Sequence, residues 1–494
     1  MASFKTFVIK THRLLGASLS LLFVLWCLSG LVLIYHQYPK YSQQEELQHR
    51  DLLPEKLPST DSLAQLLELQ QLDTLLLEEL TLHSGSWDAR APYLRLYTLD
   101  GSRESRTITG DTLQSLIVDA DYLASVAGRW GKKITHIDTL DALDQWVPFG
   151  RLREELPFYR LHLSGDEGHE VYVASRSGRV LQESTRSERF WAWCGAIPHW
   201  IYLTFIRSNQ ELWRWIIIVL GALGTFMTLS GFYIGIAQYR LRTKKQACKL
   251  FSPYPKRRQQ WHHFFGTVSG LVLIAWILTG LLSVVDYEST EATDYPVDKI
   301  AGYPHTLASY QTDLSALRAQ EPELRQLSFE SLGTIPILRA EGADKPHYYD
   351  ARCVTPRLLA LDSTTILREL RSVFGDRHSY TVTWLEQYDS DYIHRGHKLP
   401  LPVWRIAIDT KEQHTYYVAP SSGRAHLVAD SDRIEAWMFS RLHRLSFPWL
   451  VNNPVVWTVV IWLLLGLCTI TSVTGLWMTY DYLHRQRRTR GGSK

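Results

Sequence analysis

Two stretches of the sequence decide the architecture: HRLLGASLSLLFVLWCLSGLVL, residues 12–33, and HHFFGTVSGLVLIAWILTGLLS, residues 262–283. Both are apolar over a length that crosses about 30 Å of hydrocarbon as a helix rising about 1.5 Å per residue. Each begins with a histidine, has a glycine four residues later, and ends near a Ser/Thr-Gly pair, Ser29-Gly30 or Thr279-Gly280. The sequence therefore contains two copies of one membrane-helix motif.

Two further apolar segments complete a set of four. The four segments with almost no charge are Leu14–Ile34, Trp213–Ile236, Phe264–Val285 and Val455–Met478. Their lengths predict four transmembrane helices. The first could instead be a cleaved signal peptide, because Lys5, Lys10 and Arg13 precede it. Its apolar core is too long for that, and YHQYP after it offers no small-residue cleavage site, so we interpret it as a retained anchor.

The polar segments between the helices also repeat. LPFYRLHLSGDEGHEVYVASRSGRVLQESTRSERFWAW, from residue 156, parallels LPVWRIAIDTKEQHTYYVAPSSGRAHLVADSDRIEAW, from residue 401. Both continue to a histidine, His199 or His443, and each histidine precedes the next Ser/Thr-Gly pair by 31 residues. Such self-similarity predicts two parallel repeats related by an axis near the membrane normal.

The predicted fold is a polytopic α-helical membrane protein with four transmembrane helices in two parallel repeats, plus two α+β outer domains that pack small cores of their own. In the second outer domain we expect a helix over 364–374, strands over 404–409 and 415–419, and a turn at Ser-Gly 422–423, matching 177–178 in the first. The predicted boundaries are 1–39 for the N-terminus and first membrane helix, 40–190 for outer domain one, 191–239 for an interfacial helix and the second membrane helix, 240–261 for a basic loop, 262–286 for the third membrane helix, 287–435 for outer domain two, 436–480 for an interfacial helix and the fourth membrane helix, and 481–494 for a basic tail.

The distribution of charge predicts the orientation. Residues 240–258 contain eight Lys and Arg and no acidic residue, and the tail after 484 is also basic, although the whole chain has a net charge of only +3. Because short basic flanks stay in the cytoplasm, both termini and this loop should be cytoplasmic. The outer domains would then face the periplasm of a bacterium. Orientation accounts for these charges without a nucleic-acid partner.

Four histidines are candidate metal ligands. His12 corresponds to His262 at one predicted membrane boundary, and His199 corresponds to His443 at the other. If the halves pack side by side, each membrane surface receives one histidine pair. Two neutral imidazoles can fill both axial positions of haem iron, and the glycines would leave room for a flat macrocycle. An interfacial polar role is the alternative, and zinc fits less well because no Cys or acidic ligands recur nearby.

Other cysteines and histidines are less informative. The five cysteines form no C-x-x-C and no C-x-x-C-H, so any haem would be held without a thioether bond. His36 corresponds to Asp286, and it either ligates or hydrogen-bonds at the outer site or is a polar interfacial residue. It lies about 36 Å of helix from His12, too far to share an iron. His394 and His397 form an H-x-x-H that either touches a metal-bearing substrate or belongs to a solvent-exposed loop.

The two membrane stretches, the strand-turns HEVYVASRSGRV (169–180) and HTYYVAPSSGRA (414–425), and RLHRLSF (441–447) together resemble the PepSY-associated transmembrane-helix family. Its bacterial inner-membrane members include ferric-siderophore reductases of the FoxB and PiuB type. The resemblance implies two PepSY-like periplasmic domains and a multi-pass inner-membrane protein with two b-type haems. The membrane histidines of the family fall on His12, His199, His262 and His443. By their positions His12 and His262 would hold an inner haem and His199 and His443 an outer haem, with His36 as a further candidate there, and cross-pairing is the alternative because the sequence does not show which helices touch.

The resemblance implies a transmembrane oxidoreductase that passes electrons to a ferric siderophore or another Fe(III) chelate in the periplasm. No G-x-G-x-x-G is present and the cytoplasmic segments are short, so the donor would be a cytoplasmic reductase, a reduced flavin or a quinol. The alternative is a haem-free PepSY membrane protein that binds or regulates a periplasmic peptidase. A transporter or a hydrolase fits less well, because the spans lack internal charges and no nucleophile elbow or H-E-x-x-H occurs.

Overall fold

The computed structural model describes residues 2–41, 47, 52–69, 76–82, 92–97, 103–109, 112–243, 251–285, 295–300, 307–342, 344–393 and 399–491. Asp286, His394 and His397 lie outside these ranges, as do residues 244–250 of the basic loop and 492–494 of the tail.

The described chain contains α-helices, strands, short 3-10 turns and one π-helix. The α-helices, numbered in chain order, are α1 (Ala2–Leu33), α2 (Thr60–Leu69), α3 (Ala120–Gly128), α4 (Arg186–Cys194), α5 (Ala196–Trp200), α6 (Thr204–Arg207), α7 (Gln210–Thr243), α8 (Arg257–Val268), α9 (Gly270–Leu282), α10 (Leu314–Gln320), α11 (Ser363–Phe374), α12 (Asp430–Glu435), α13 (Pro448–Val451) and α14 (Pro454–Gly491). The strands are β1 (Leu76–Leu82), β2 (Pro92–Tyr97), β3 (Arg103–Thr109), β4 (Thr112–Ser115), β5 (Ile134–Leu140), β6 (Phe158–Leu163), β7 (Glu170–Ala174), β8 (Val180–Ser184), β9 (Gln326–Leu332), β10 (Ile335–Glu341), β11 (His347–Asp350), β12 (Tyr380–Leu385), β13 (Val403–Ile408), β14 (Thr415–Val418) and β15 (Ala425–Val428). The π-helix is Ala436–His443, and the 3-10 turns are Gly150–Glu155, Val297–Lys299 and Leu307–Ser309.

Three helices are long and apolar enough to cross a membrane: α1 over Phe4–Leu33, α7 over Gln210–Tyr239 and α14 over Pro454–Tyr482. The third predicted helix, 264–285, is not straight, because α8 and α9 meet at an angle of 62°. Counting this bent pair as one span gives the fourth membrane helix.

The bend between α8 and α9 falls at Ser269-Gly270, a residue combination that often kinks helices. The Ser269 hydroxyl donates to the carbonyl of Phe265 at 2.8 Å and lies 3.0 Å from the hydroxyl of Thr471 on α14. Gly270 faces Phe232 of α7 so closely that a Cβ atom there would lie 2.4 Å from the ring. Helix packing therefore fixes the position of the bend.

The membrane helices form a ring in which α1 contacts α7 and α14, and the bent pair contacts the same two helices. Apolar side chains from all four fill the interior: Leu19, Phe23, Cys27, Met227, Leu273 and Cys468. In lipid, close packing at small residues replaces the hydrophobic effect as the main source of helix association. Gly221 and Gly224 of α7 supply such contacts, since added Cβ atoms would lie 2.9 Å from Leu281 and 3.1 Å from Ile277.

Two four-stranded antiparallel sheets have the same strand order, β5-β6-β7-β8 and β12-β13-β14-β15. Each follows one helix, α3 or α11 respectively. The predicted Ser-Gly turns are confirmed, because Gly178 and Gly423 adopt φ of 64° and 68° directly after β7 and β14. The repeat seen in the sequence therefore corresponds to a repeated supersecondary unit.

A third sheet joins the two halves of the chain. Its order is β11-β10-β9-β1-β2-β3-β4, and β1 pairs antiparallel with β9, with Glu79 opposite Ser328. Leu53 and Leu63 of the first half share a buried core with Leu314 and Leu338 of the second. The four-stranded sheets do pack cores of their own, as expected, and this shared core joins the two outer domains in addition. At the junction the first strand of each half pairs with the other, with four strands contributed by the first half and three by the second.

Candidate functional site

The four predicted histidines meet as two pairs. His12 on α1 and His262 on α8 have ring centroids 6.4 Å apart, at the end of the bundle away from the sheets. His199 on α5 and His443 at the end of the π-helix have centroids 6.5 Å apart, at the end next to the sheets. We name these the distal pair and the proximal pair. Each pair takes one histidine from each half of the chain.

Each histidine contacts one Ser/Thr-Gly pair of its own half through Nδ1. The Nδ1 to hydroxyl distances are 3.3 Å for His12 and Ser230, 3.1 Å for His199 and Ser29, 3.3 Å for His262 and Thr474, and 3.2 Å for His443 and Thr279. Each Nδ1 atom also lies within hydrogen-bond distance of a backbone carbonyl oxygen. The distances are 3.1 Å for His12 and Met227, 3.2 Å for His199 and Trp26, 3.2 Å for His262 and Thr471, and 3.0 Å for His443 and Trp276. One local arrangement thus occurs four times.

These contacts decide the tautomer of the four rings. The hydroxyl of each Ser or Thr donates to a backbone carbonyl of its own helix, as for Ser230 and Met227 at 2.8 Å and for Thr279 and Ala275 at 2.6 Å. Carbonyl and hydroxyl oxygens are then both acceptors, so the proton must be on Nδ1. Nε2 keeps its lone pair, and no described residue hydrogen-bonds it. This is the tautomer that a metal-ligating histidine with a second hydrogen-bond partner adopts.

The glycines of the Ser/Thr-Gly pairs admit the imidazole rings. A Cβ atom added to any of these glycines would lie close to Cε1 of the histidine that faces it. The distances are 2.6 Å for Gly231 and His12, 3.2 Å for Gly475 and His262, 3.3 Å for Gly280 and His443, and 3.5 Å for Gly30 and His199. The expectation that these glycines leave room for a macrocycle is therefore wrong, because the histidine rings occupy that room. Gly16, one turn after His12, has no atom within 4 Å of its Cβ position and leaves open space beside the distal pair.

The spacing within each pair fits a metal ion between the rings. An imidazole nitrogen binds such a metal ion at about 2 Å, and the ring centroid lies about 1 Å beyond that nitrogen. Two rings that bind one ion from opposite sides therefore have centroids roughly 6 Å apart. Among the described residues, no three His, Cys, Asp or Glu side chains converge as a metal site. Zinc sites take three or four protein ligands, whereas haem iron takes two from the protein and four from its macrocycle. Two-histidine sites therefore fit haem better than zinc.

Different local structures bring the two proximal histidines into place. Thr185 and Glu188 form a capping box at the start of α4, which ends at Gly195. A Cβ at Gly195 would lie 2.8 Å from Val32, so this corner packs directly on α1 and sets the entry of α5. In the second half, the corresponding segment is the π-helix Ala436–His443, a type of helix that is frequent at functional sites.

The proximal histidines are neutral in their surroundings. Burial, together with the neighbouring His443, lowers the pKa of His199 to about 4. Burial and the nearby Arg444 likewise lower the pKa of His443 to about 4. Neutral imidazole is the form that binds metal ions, so both rings are ready to ligate at physiological pH.

His36 does not join the proximal pair. Its exposed ring stacks on Trp191 of α4, with centroids 4.4 Å apart and planes within 4°. Within the described residues, it has no hydrogen bond or ring contact with His199 or His443. The candidate role of His36 as an axial ligand is therefore not supported by its position.

Several residues around the site were not anticipated. Arg444, next to His443, is exposed, and the buried Arg441 donates to the carbonyl of Ser390. Trp26 and Trp276 occupy equivalent positions in α1 and α9, and their carbonyls hold the proximal rings. The repeat alignment carried the signal for the tryptophans, because both stand fourteen residues after the histidine that begins each quoted stretch.

The bundle, the extramembrane sheets and the paired histidines define a membrane protein built on a duplicated helix-and-sheet unit. The chain belongs to the family of the PepSY-associated TM region, whose family model matches residues 9–481. No curated protein matches the chain.

Proposed function

We propose that the protein is a bacterial inner-membrane dihaem oxidoreductase that carries electrons across the bilayer to a periplasmic ferric chelate, as do reductases of the FoxB and PiuB type. The observation that carries the proposal is the pair of two-histidine sites, each with Nδ1 held by a carbonyl and a hydroxyl. The sites lie at opposite ends of one bundle, since residues 12 and 29 of α1 are about 26 Å apart along the helix.

The basic segments suggest the direction of the route. With both termini and the basic loop in the cytoplasm, the distal pair faces the cytoplasm and the proximal pair faces the periplasm. A cytoplasmic reductase, a reduced flavin or a quinol would deliver electrons to the distal site. The acceptor would meet the proximal site beneath the sheets.

His12 with His262, and His199 with His443, would hold two haem b groups. Haem b supplies reversible one-electron chemistry when bound. The chain would provide one neutral Nε2 from each histidine, apolar surroundings and fixed ring orientation, and two histidines at each haem would favour electron transfer over gas binding. Arg444 adds a positive charge beside the proximal site, which favours the approach of an anionic chelate.

The substrate would be Fe(III) bound by an oxygen-rich chelator such as a siderophore. One electron converts Fe(III) to Fe(II), which such chelators bind more weakly, so that reduction releases the iron.

The first test is the reduced-minus-oxidised visible spectrum of the detergent-purified protein, with a pyridine haemochrome count. We expect six-coordinate b-type bands at about two haems per chain. His12→Ala and His443→Ala should each remove one haem. His347→Ala, at an exposed position in β11, is the control and should leave both.

A protein that stays colourless after expression with ample haem would overturn this proposal. The haem-free role, in which the extramembrane sheets bind or regulate a peptidase, would then be the function to test. If both haems are present, reduction of ferric chelates by the dithionite-reduced protein is the next measurement.

A further inference from the structure

Trp26 of α1 and Trp276 of α9 occupy equivalent positions in the two repeats. The indole N–H of each makes no hydrogen bond that would stabilise the fold. Both Nε1 atoms are buried, and neither has a hydrogen-bond partner. A buried N–H without an acceptor is costly, and in hydrocarbon no bulk water can satisfy it. An apolar side chain at either position would avoid that cost.

The described bundle has one other buried polar side-chain atom without a partner, the hydroxyl of Ser20. Its corresponding residue in the second half is Gly270, so this feature is not repeated. A serine hydroxyl can also rotate towards a carbonyl of its own helix, whereas an indole N–H cannot. The unpaired tryptophans are therefore the repeated feature, and duplication has kept both.

Their position lies between the two histidine pairs. Both rings pack against the interior cluster that contains Phe23 and Leu273, and Trp276 also packs against the cluster of Trp457 and Leu465. Leu465 in turn reaches Gly30, which faces His199. The two indoles therefore occupy the protein interior that an electron must cross between the sites.

Each tryptophan is also directly connected to the proximal pair. The carbonyl of Trp26 accepts from Nδ1 of His199 at 3.2 Å, and that of Trp276 accepts from Nδ1 of His443 at 3.0 Å. The covalent and hydrogen-bonded path from either indole to a proximal imidazole ring thus passes through the backbone of one residue and across one hydrogen bond.

We propose that Trp26 and Trp276 form the bridge for electron tunnelling between the distal and proximal sites. Their π systems lower the barrier relative to saturated side chains, and no indole is oxidised, since the electron leaves one centre and arrives at the other. This inference rests on the proposed function, because it needs a redox centre at each pair.

The test uses proteoliposomes that enclose ascorbate and face external ferricyanide, so that each ferricyanide reduced reports one electron moved across the bilayer. The variants are Trp26→Leu with Trp276→Leu, and Trp26→Phe with Trp276→Phe. Trp462→Leu is the matched control, since this exposed tryptophan of α14 bonds Tyr35. Haem content and midpoint potentials are measured for every variant.

We expect the double Leu variant to lose flux several-fold with two haems per chain and unchanged potentials, while the double Phe variant and Trp462→Leu remain near wild type. Equal flux in the Leu variant would overturn the bridge. An equal loss in the Phe and Leu variants would also overturn it, because the N–H and not the ring would then matter. A wild type without haem would refute the proposed function, which is a separate outcome.

Discussion

The hydroxyl of Ser29 lies 3.1 Å from Nδ1 of His199 and donates to the carbonyl of Trp26, which His199 also contacts. Two groups of α1, a hydroxyl and a carbonyl, thus fix the imidazole ring of His199. The same arrangement recurs at Ser230, Thr279 and Thr474, so one hydroxyl orients each of the four histidine rings.

Removing one of these hydroxyls should weaken one site. In Thr279→Val, His443 keeps the carbonyl of Trp276 but loses the hydroxyl at 3.2 Å. Such supporting hydrogen bonds typically contribute about 10–100-fold to metal affinity. We expect haem loss from the proximal site on dialysis, measured as haem per chain. Thr469→Val, whose hydroxyl bonds only Leu465 of its own helix, should retain both haems.

A methyl group at Gly231 should disrupt the distal site. Its Cβ would lie 2.6 Å from Cε1 of His12, and the backbone of α7 leaves little freedom to move away. We expect Gly231→Ala to lose one haem and keep the proximal spectrum. Gly466→Ala, in a part of α14 with no atom within 4 Å, should behave as wild type. Two haems in Gly231→Ala would contradict the close approach of this ring.

The first four-stranded sheet should show a pH-dependent stability. Hydrogen bonds from His162 and Arg160 hold the pKa of Asp138 well below its usual range. A lowered carboxyl pKa stabilises the fold above about pH 4, where an unfolded Asp is ionised, and this contribution is lost as the pH falls through the folded pKa. Asp138→Asn should therefore cost at most about 1 kcal/mol near pH 7, since the carboxylate is partly solvated.

The thermal unfolding midpoints of wild type and Asp138→Asn, compared at pH 7 and pH 3, check this prediction. The difference should shrink at the lower pH. A difference that stays constant would mean that the charge of Asp138 is not the cause.

Replacing His36 should leave the haem count unchanged. Its ring stacks on Trp191 at the surface and has no described contact with the proximal pair. We expect His36→Ala to retain two six-coordinate haems, measured by haemochrome count and low-temperature spectra. Loss of one haem in this variant would show that His36, rather than His199 or His443, is an axial ligand.

The charge of Arg444 should raise the reduction potential of the proximal centre. Its proximity already contributes to the low pKa of His443, and a nearby cation favours the reduced, less positive iron. Arg444→Gln should lower that potential by roughly a few tens of millivolts in a spectroelectrochemical titration. Arg352→Gln, paired with Asp350 in the second half, should leave it unchanged.

The histidine pairs could be predicted from the sequence because duplication preserved them against a background of changed neighbours. His199 and His443 each stand 31 residues before the next Ser/Thr-Gly pair. In the structure each of the four histidines contacts the other Ser/Thr-Gly pair of its half through Nδ1, so the equal offsets mark the repeat and not the contacts themselves. What the glycines accommodate could not be predicted, since spacing does not show whether a ring or a ligand fills the space.

Other features depend on contacts that periodicity does not encode. The bend at Ser269 arises from packing against Phe232 and Thr471, residues far away in the sequence. The antiparallel pairing of β1 with β9 joins strands that a local pattern assigns to separate domains. His36 lies at a membrane boundary like the true pair members, and only the stack on Trp191 separates it from them.

The pairing of β1 with β9 in the seven-stranded sheet has a consequence for how the two halves of the chain can vary. A chain of half this length would leave β1 or β9 as an open edge and would supply one histidine to each pair, so it could complete the sites only as a two-fold homodimer. When the two halves are joined in one polypeptide, the two sides of the proximal site need not be identical. Arg444 and Arg441 stand where the first half has Trp200 and Ile197, so that one face of the proximal site is charged and the other apolar. The duplicated scaffold thus keeps its histidines paired while the approach to them becomes one-sided.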